Sequence, residues 1–408
     1  MKFTFKSIFI LIACIAISQN QFAQDNSKTE SKAAKIHASA FTVDSHTDTP
    51  LNFTNKKFDV AKDNSTSVPR SCVDFPRMKE GGLDAVFFAV FTSQGPRTAE
   101  GNAKAKAKAE MIFDSIDVAV TRNKAVSGIA TTPDEAYELV KQGKSVVFIG
   151  VENGYPLGND LSNVKHFYDR GARYITLCHT KNNDVCTSST DTANTVGLRD
   201  FGRQVVQEMN RLGMMIDVSH VSDQSFYDVI QLSKVPVIAS HSCARALCDN
   251  PRNLTDDMLK ALAKNNGVIQ MCILSDYVKK PLPNPERDSA RMAVRAKYNN
   301  FQDLKDEQWE AASADWHAID DKFPQKLATV SDVVDHIDHI VKVAGINHVG
   351  IGTDFDGGGG VTGCTDVSEM GNITLELVKR GYSKKDIKKI WGGNLMRVMK
   401  DVDAGRMN

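Results

Sequence analysis

Short apolar runs rich in Val and Ile recur along this chain, and their rhythm limits the fold more than any other feature. Phe41 to Asp44, Asp84 to Phe91, Val146 to Val151, Tyr174 to Leu177, Met214 to Val218, Val235 to Ala239, Gly267 to Ile273 and His348 to Gly352 make eight candidate strands. They are continuously apolar rather than alternating, the pattern of parallel strands covered on both faces. Between most of them lie amphipathic segments with helix start and stop residues. Examples are Asp200 to Leu212 before Gly213, Ser222 to Leu232, Asp256 to Lys264 before Gly267, and Ser331 to Val343 before Gly345. Eightfold alternation without a repeat of the sequence itself predicts an α/β fold, a (β/α)8 TIM barrel; a doubly wound sheet is the alternative. In such a barrel the functional residues gather where the strands end.

A typical barrel needs about 250 residues, and this chain has 408. The surplus falls in three places. Residues 1–24 carry Lys2 and Lys6, the apolar run Ile8 to Ile17 and a polar stretch to Gln24, the layout of a secretory signal. That run is too short to span a bilayer, so no transmembrane helix is expected in the mature chain. Leu11-Ile12-Ala13-Cys14 has the form of a lipoprotein box and leaves anchoring at Cys14 as the alternative to simple export, although apolar residues continue past it to Ile17. Residues 25–40, polar and rich in Lys, Ser and Ala, read as a mobile leader. Residues 41–408 then form one barrel domain with an insertion at about 275–328, charged, with Pro281, Pro283 and Pro285 near its start and Trp309 and Trp316 beyond. Following the seventh run, the insertion should emerge on the catalytic face, either walling the pocket or decorating the surface.

Charge excludes whole classes of partner. Lys plus Arg and Asp plus Glu number 50 each, so nothing favours nucleic acid or an anionic membrane, and the partner should be small. Removal of the signal takes one of 8 cysteines and leaves Cys72, Cys178, Cys186, Cys243, Cys248, Cys272 and Cys364, an odd number without a CxxC pair. One or two disulfides and buried free thiols are both compatible with that pattern.

The chemistry lies just past the runs. The first run leads into His46-Thr47-Asp48, whose alternate side chains share a direction and reach a common cation. Glu152 follows the third run, where a carboxylate is costly to bury unless paired or metal-bound. His179, His220 and His241 follow the fourth, fifth and sixth, and the eighth delivers Asp354 and Asp356. Any one of these has a structural explanation, but four of 10 histidines on one face with three or more carboxylates do not. Imidazole and carboxylate donors suit zinc, with iron, manganese or cobalt as competitors. The set exceeds one tetrahedral shell, so two metals about 3.5–4 Å apart are expected, with Glu152 placed to bridge them. Such a pair turns water into hydroxide near neutral pH and polarises a carbonyl, which is hydrolytic chemistry.

Other clusters carry less. Asp335-His336-Ile337-Asp338-His339 sits inside a helix of the outer ring and reads as a solvated face. His37, His166 and His317 have no evident partner, Gly357 to Gly360 lacks P-loop spacing and reads as a flexible loop, and Ser222 is in no nucleophile-elbow setting.

His46-Thr47-Asp48, Val151-Glu152-Asn153-Gly154, Arg173 to His179, Gly197 to Ser222, Pro236 to Ser242, Asn250 to Asn253 and Gly350 to Gly357 together closely resemble the membrane dipeptidase (renal dipeptidase) family of dizinc metallopeptidases. The resemblance runs from about residue 40 to 400, and the step from His220 to His241 and on to Arg252 matches the family's spacing. It implies a zinc-dependent dipeptidase that accepts C-terminal D-residues, with a small dipeptide as partner and a homodimer as a common assembly. It also implies two zinc ions per chain bridged by Glu152 and a water or hydroxide. His46 and Asp48 would hold one ion, His220 and His241 the other. His179 would contact the substrate carbonyl, Arg252 its free carboxylate, and Asp354 would act as general acid/base. Two departures stand out: the chain ends polar at Lys400 to Asn408 instead of in a lipid-anchor signal, and the 275–328 insertion exceeds the vertebrate stretch. A periplasmic or cell-envelope location fits the signal. The competing functions are an amidohydrolase of lactams or N-acyl amino acids and a non-catalytic envelope peptide-binding protein.

Overall fold

In the computed structural model, which describes residues 26–55, 57–67, 70–191, 196–301, 304 and 306–406, every apolar run contributes a strand. They are β1 (Val43–Thr47), β2 (Ala85–Phe91), β3 (Ser127–Ile129), β4 (Ser145–Glu152), β5 (Ala172–Thr176), β6 (Met215–Asp217), β7 (Ile238–Ser242), β8 (Val268–Met271) and β9 (Val349–Ile351). The sheet runs β1-β2-β4-β5-β6-β7-β8-β9, all ladders parallel, with β3 beside β4 and off that path. β3 was not expected because Ser127-Gly128-Ile129 has a single large apolar residue and forms no run. The circle closes between β1 and the segment after β9: the Asp48 N–H donates to the Phe355 carbonyl at 2.8 Å and the Asp354 N–H to the His46 carbonyl at 3.0 Å. This is the eight-stranded barrel that the alternation predicts.

Period-two geometry sorts each strand. In β2, Ala85 and Phe87 join the barrel interior with Phe148 and Tyr174, while Val86, Phe88 and Val90 pack outward against helices. Leu395, Met396, Val398, Met399 and Val402 of the last helix, Asn394–Ala404, pack with Val43, Ala85, Val146 and Val268 at the strand beginnings. That end is sealed by apolar side chains, so the polar cluster occupies the other.

The leader reading is corrected. Residues 26–37 are helical, and Ala33, Ile36 and Ala40 are buried in the main core. His37 meets Trp391 edge-on at 4.9 Å and bonds to Thr374 Oγ1 at 2.7 Å and the Gly81 carbonyl at 2.8 Å. Composition hid a narrow apolar stripe at helical spacing. The signal segment and Cys14 lie outside the described residues.

The insertion contributes helices Ser275–Val278, Pro285–Lys297 and Asp306–Lys322. Arg287 joins the longer two by donating to Asp320 at 2.6 Å and to the Phe323 carbonyl at 2.7 Å. Lys57 in the loop after β1 meets Glu310 at 2.9 Å, so the insertion spans from the end of β8 to that loop. No helix among the described residues is long and apolar enough to cross a membrane.

Candidate metal centre

Strand ends deliver the side chains. His46 lies in β1 with Asp48 just past it, Glu152 is the last residue of β4, and His241 lies in β7. His179, His220 and Asp354 follow β5, β6 and β9 in the connecting loops. His220 and Asp354 hold φ of 69° and 64°, left-handed backbone that non-glycine residues adopt only where their surroundings enforce it.

Glu152 sits at the centre. Its Oε2 lies 3.5 Å from His46 Nε2, and its Oε1 lies 3.1 Å from His220 Nε2, 3.5 Å from His241 Nε2 and 3.7 Å from His179 Nε2. Asp48 Oδ2 is 3.9 Å from His46 Nε2, and the Nε2 atoms of His220 and His241 stand 2.9 Å apart. Ligand atoms within 4.8 Å of one another thus define two buried triplets that share Glu152, namely His46-Asp48-Glu152 and Glu152-His220-His241. A third, His46-His241-Asp354, places the β9 carboxylate beside them.

These spacings fit cations. Bonds of about 2.0–2.1 Å in a tetrahedral shell put neighbouring ligands about 3.3–3.4 Å apart, close to the edges around Glu152. His46 Nε2 and Asp48 Oδ1 are buried without a hydrogen-bond partner, a costly state that a cation would relieve. Charge argues the same way. Burial raises the Asp48 carboxyl well above its ordinary range, and neighbouring Glu152 adds to this. Burial likewise raises Asp354, reinforced by Cys272 and Glu152. Burial also pushes Glu152 upward, but His46 and His179 outweigh it and hold that carboxyl well below the usual range. For His46, burial works against protonation, yet Glu152 prevails and lifts it to about 10. The protein alone therefore neutralises the cluster by trapping protons, which is what bound metal would replace.

Asp354 and Asp356 separate cleanly. Asp356 accepts from Thr49 Oγ1 at 2.8 Å, Ser71 Oγ at 2.7 Å and the Cys72 N–H at 2.7 Å, so it ties loops together. Asp354 faces the cluster. Gly357 is the residue that permits this, because a Cβ there would fall 2.1 Å from Asp48 Oδ2 and 2.4 Å from Asp354 Oδ1. Arg252, 2% exposed, reaches the rim from the loop after β7. It donates to Ser242 Oγ and the His241 carbonyl, both at 2.9 Å, while its Nε has no partner.

The outer-ring cluster needs a correction. His336 is buried, not solvated: Nδ1 accepts from the Ala244 N–H at 3.1 Å and Nε2 donates to the Val278 carbonyl at 2.8 Å. Asp335 and Asp338 hold Arg380 at 2.6 and 2.7 Å, and His339 pairs with Asp256 at 2.7 Å. His166 and His317 find Glu110 and Asp320. All seven described cysteines are free thiols. Sequence reasoning passed over Tyr174, Asp217 and Ser240, which stand directly behind the ligands. Their one trace is a polar group in or next to an apolar run: Asp217 lies within Met214 to Val218, Tyr174 opens its run, and Ser240, like Glu152, directly follows one.

Comparison with known proteins agrees with this geometry. The model of the membrane dipeptidase family, peptidase family M19, matches residues 30–408. Dipeptidase tcpJ of Claviceps purpurea is 32% identical over 338 residues, covering 81% of this chain and 69% of that protein. The first curated relatives are longer, and the chain spans 65–69% of their length. The crystal structure of the probable dipeptidase PvdM from Pseudomonas aeruginosa superposes with a TM-score of 0.80 at 30% identity, over 93% of this chain and 99% of that one. A metallo peptidase from Rhodobacter sphaeroides, solved with a phosphinate mimic of the dipeptide L-Ala-D-Ala, superposes with a TM-score of 0.70 at 21% identity, over 88% and 99%. At that identity the likeness is one of fold.

Proposed function

The chain belongs to the membrane dipeptidase family of metallopeptidases, and from that premise we propose that it is an exported dizinc dipeptidase, its residues 41–408 one barrel domain carrying the 275–328 insertion. One observation carries the reading. The two oxygens of Glu152 face different donor sets, Oε2 toward His46 and Oε1 toward His220 and His241, the arrangement of a bridging carboxylate. His46, Asp48 and Glu152 would hold one zinc, and Glu152, His220 and His241 the other. Such ions supply an acidified water and polarise a carbonyl oxygen.

The remaining roles belong to the chain's own groups. His179 is the most exposed of the four imidazoles, with 22% of its side chain accessible, so it meets substrate and donates to the carbonyl oxygen as negative charge develops there. Arg252 offers the dipeptide carboxylate a guanidinium whose Nε–H is otherwise unpaired. Asp354, buried beside the cluster, takes up the proton that the attacking water loses and passes it to the leaving amine. The L-Ala-D-Ala mimic in the Rhodobacter relative supports acceptance of a C-terminal D-residue. Export follows from residues 1–24, with Cys14 as the alternative anchor; the mass of the mature N-terminus decides between them.

Metal analysis with a panel of L,L and L,D dipeptides tests the function. Less than one ion per chain and no cleavage after zinc loading would sink it. N-acetylation of a cleaved dipeptide should remove most activity; undiminished turnover would instead favour an N-acyl amidohydrolase.

A further inference from the structure

Two of the imidazoles are held from behind by hydroxyl groups that also determine which nitrogen carries the proton. Tyr174 Oη lies 2.9 Å from His46 Nδ1 and donates to the Ser45 carbonyl at 3.2 Å. A carbonyl only accepts, so the phenol proton is committed to it and His46 must donate from Nδ1 to the phenol oxygen. In the neutral ring that metal binding requires, this leaves the lone pair on Nε2, the atom facing Glu152 and Asp48. A second relay repeats the logic across the site. Ser240 Oγ donates to Asp217 Oδ2 at 2.6 Å and lies 2.8 Å from His241 Nδ1, so His241 also donates from Nδ1 and keeps Nε2 free. Asp217 is fixed in turn by the N–H groups of Ser219 at 2.9 Å and Ser240 at 2.8 Å.

The first relay depends on a glycine. Gly150 of β4 pairs in register with Tyr174 of β5, and a Cβ at Gly150 would lie 2.0–2.4 Å from the Tyr174 ring. Only a residue without a side chain leaves the phenol room to cross the barrel interior to β1.

We infer that Tyr174, admitted by Gly150, and the Ser240–Asp217 pair are positioning residues that set the tautomer and aim of His46 and His241 for metal binding. The inference rests on the metal-centre reading. Outer partners of this kind change metal affinity by about 10- to 100-fold when removed.

The test is zinc affinity measured by competition with a chromophoric chelator, alongside thermal melting. Tyr174→Phe and Ser240→Ala should each bind zinc about 10- to 100-fold more weakly while remaining folded. Gly150→Ala should weaken zinc binding in the parent chain but add no further loss in the Tyr174→Phe background, where the hydroxyl is already gone, although its lower melting temperature persists. Wild-type affinity in folded Tyr174→Phe and Ser240→Ala would overturn the inference. If Tyr174→Phe does not fold, Ser240→Ala, which deletes one hydroxyl, decides alone. A parent chain that takes up no zinc defeats the metal-centre reading itself, a result distinct from equal binding by parent and variants.

Discussion

Histidines and aspartates stand at ligand-like spacing in two regions of this molecule, and the regions differ in what their atoms lack. In the helix Val330–Ala344, every such group is answered by the protein: His336 bridges Ala244 and Val278, Asp335 and Asp338 grip Arg380, and His339 meets Asp256. At the strand ends, imidazole nitrogens crowd around one carboxylate, and His46 Nε2 and Asp48 Oδ1 find no hydrogen-bond partner. Residue type and spacing are alike in the two places. Unmet coordination and buried carboxylates that only trapped protons neutralise mark the one suited to a cation.

The contrast can be broken from either side. The largest effect should come from Asp354→Asn, which removes the proton donor but no metal ligand. We expect turnover to fall by about 100- to 10,000-fold, with metal content and dipeptide binding retained; loss of metal would instead make Asp354 a ligand. Glu152→Gln should weaken both metals, by more than the roughly 10- to 100-fold typical of an outer partner, as read by metal content after dialysis. The matching change on the outer ring, His336→Leu, should leave metal content untouched. It should cost about 1–3 kcal/mol of stability for the unsatisfied Ala244 N–H and Val278 carbonyl, measured by denaturant unfolding.

The smallest effect is in pH dependence. Burial lowers the His336 pKa below its ordinary value, against partial opposition from the Val278 carbonyl. The folded state therefore favours the neutral ring, and its contribution is fully present above the unfolded value of about 6.5 and lost as pH falls through the lower folded value. Between pH 7 and 5 the parent chain should lose more stability than His336→Leu. Parallel pH profiles would show that His336 binds its proton equally in the folded and unfolded chain, and would contradict the lowered pKa.

The same contrast explains what was readable beforehand. The eight strands were legible because parallel barrel strands, buried on both faces, are apolar throughout. The convergence of His46, Glu152, His220 and His241 was legible because strand ends meet whatever the intervening sequence, so each needed only its place relative to a run. β3 was not legible, being too short for a pattern, nor was the docked helix at residues 26–37, which buries only Ala33 and Ile36 as apolar residues in a polar segment. Arg252 lies in a loop without periodicity and came from family resemblance alone. Tyr174 and Ser240 depend on which strand lies beside them, and Gly150 on a ring arriving from the neighbouring strand. His336 was misread because burial of a helix face is decided by what packs on it, here the Ala244 and Val278 segments.

Every role assigned above turns on Glu152 joining two cation sites. Counting zinc per chain after loading and gel filtration tests it most directly. Two ions in the parent chain, falling below one in Glu152→Ala, is the predicted result; fewer than one ion in the loaded parent chain, or a count that Glu152→Ala leaves unchanged, would contradict it.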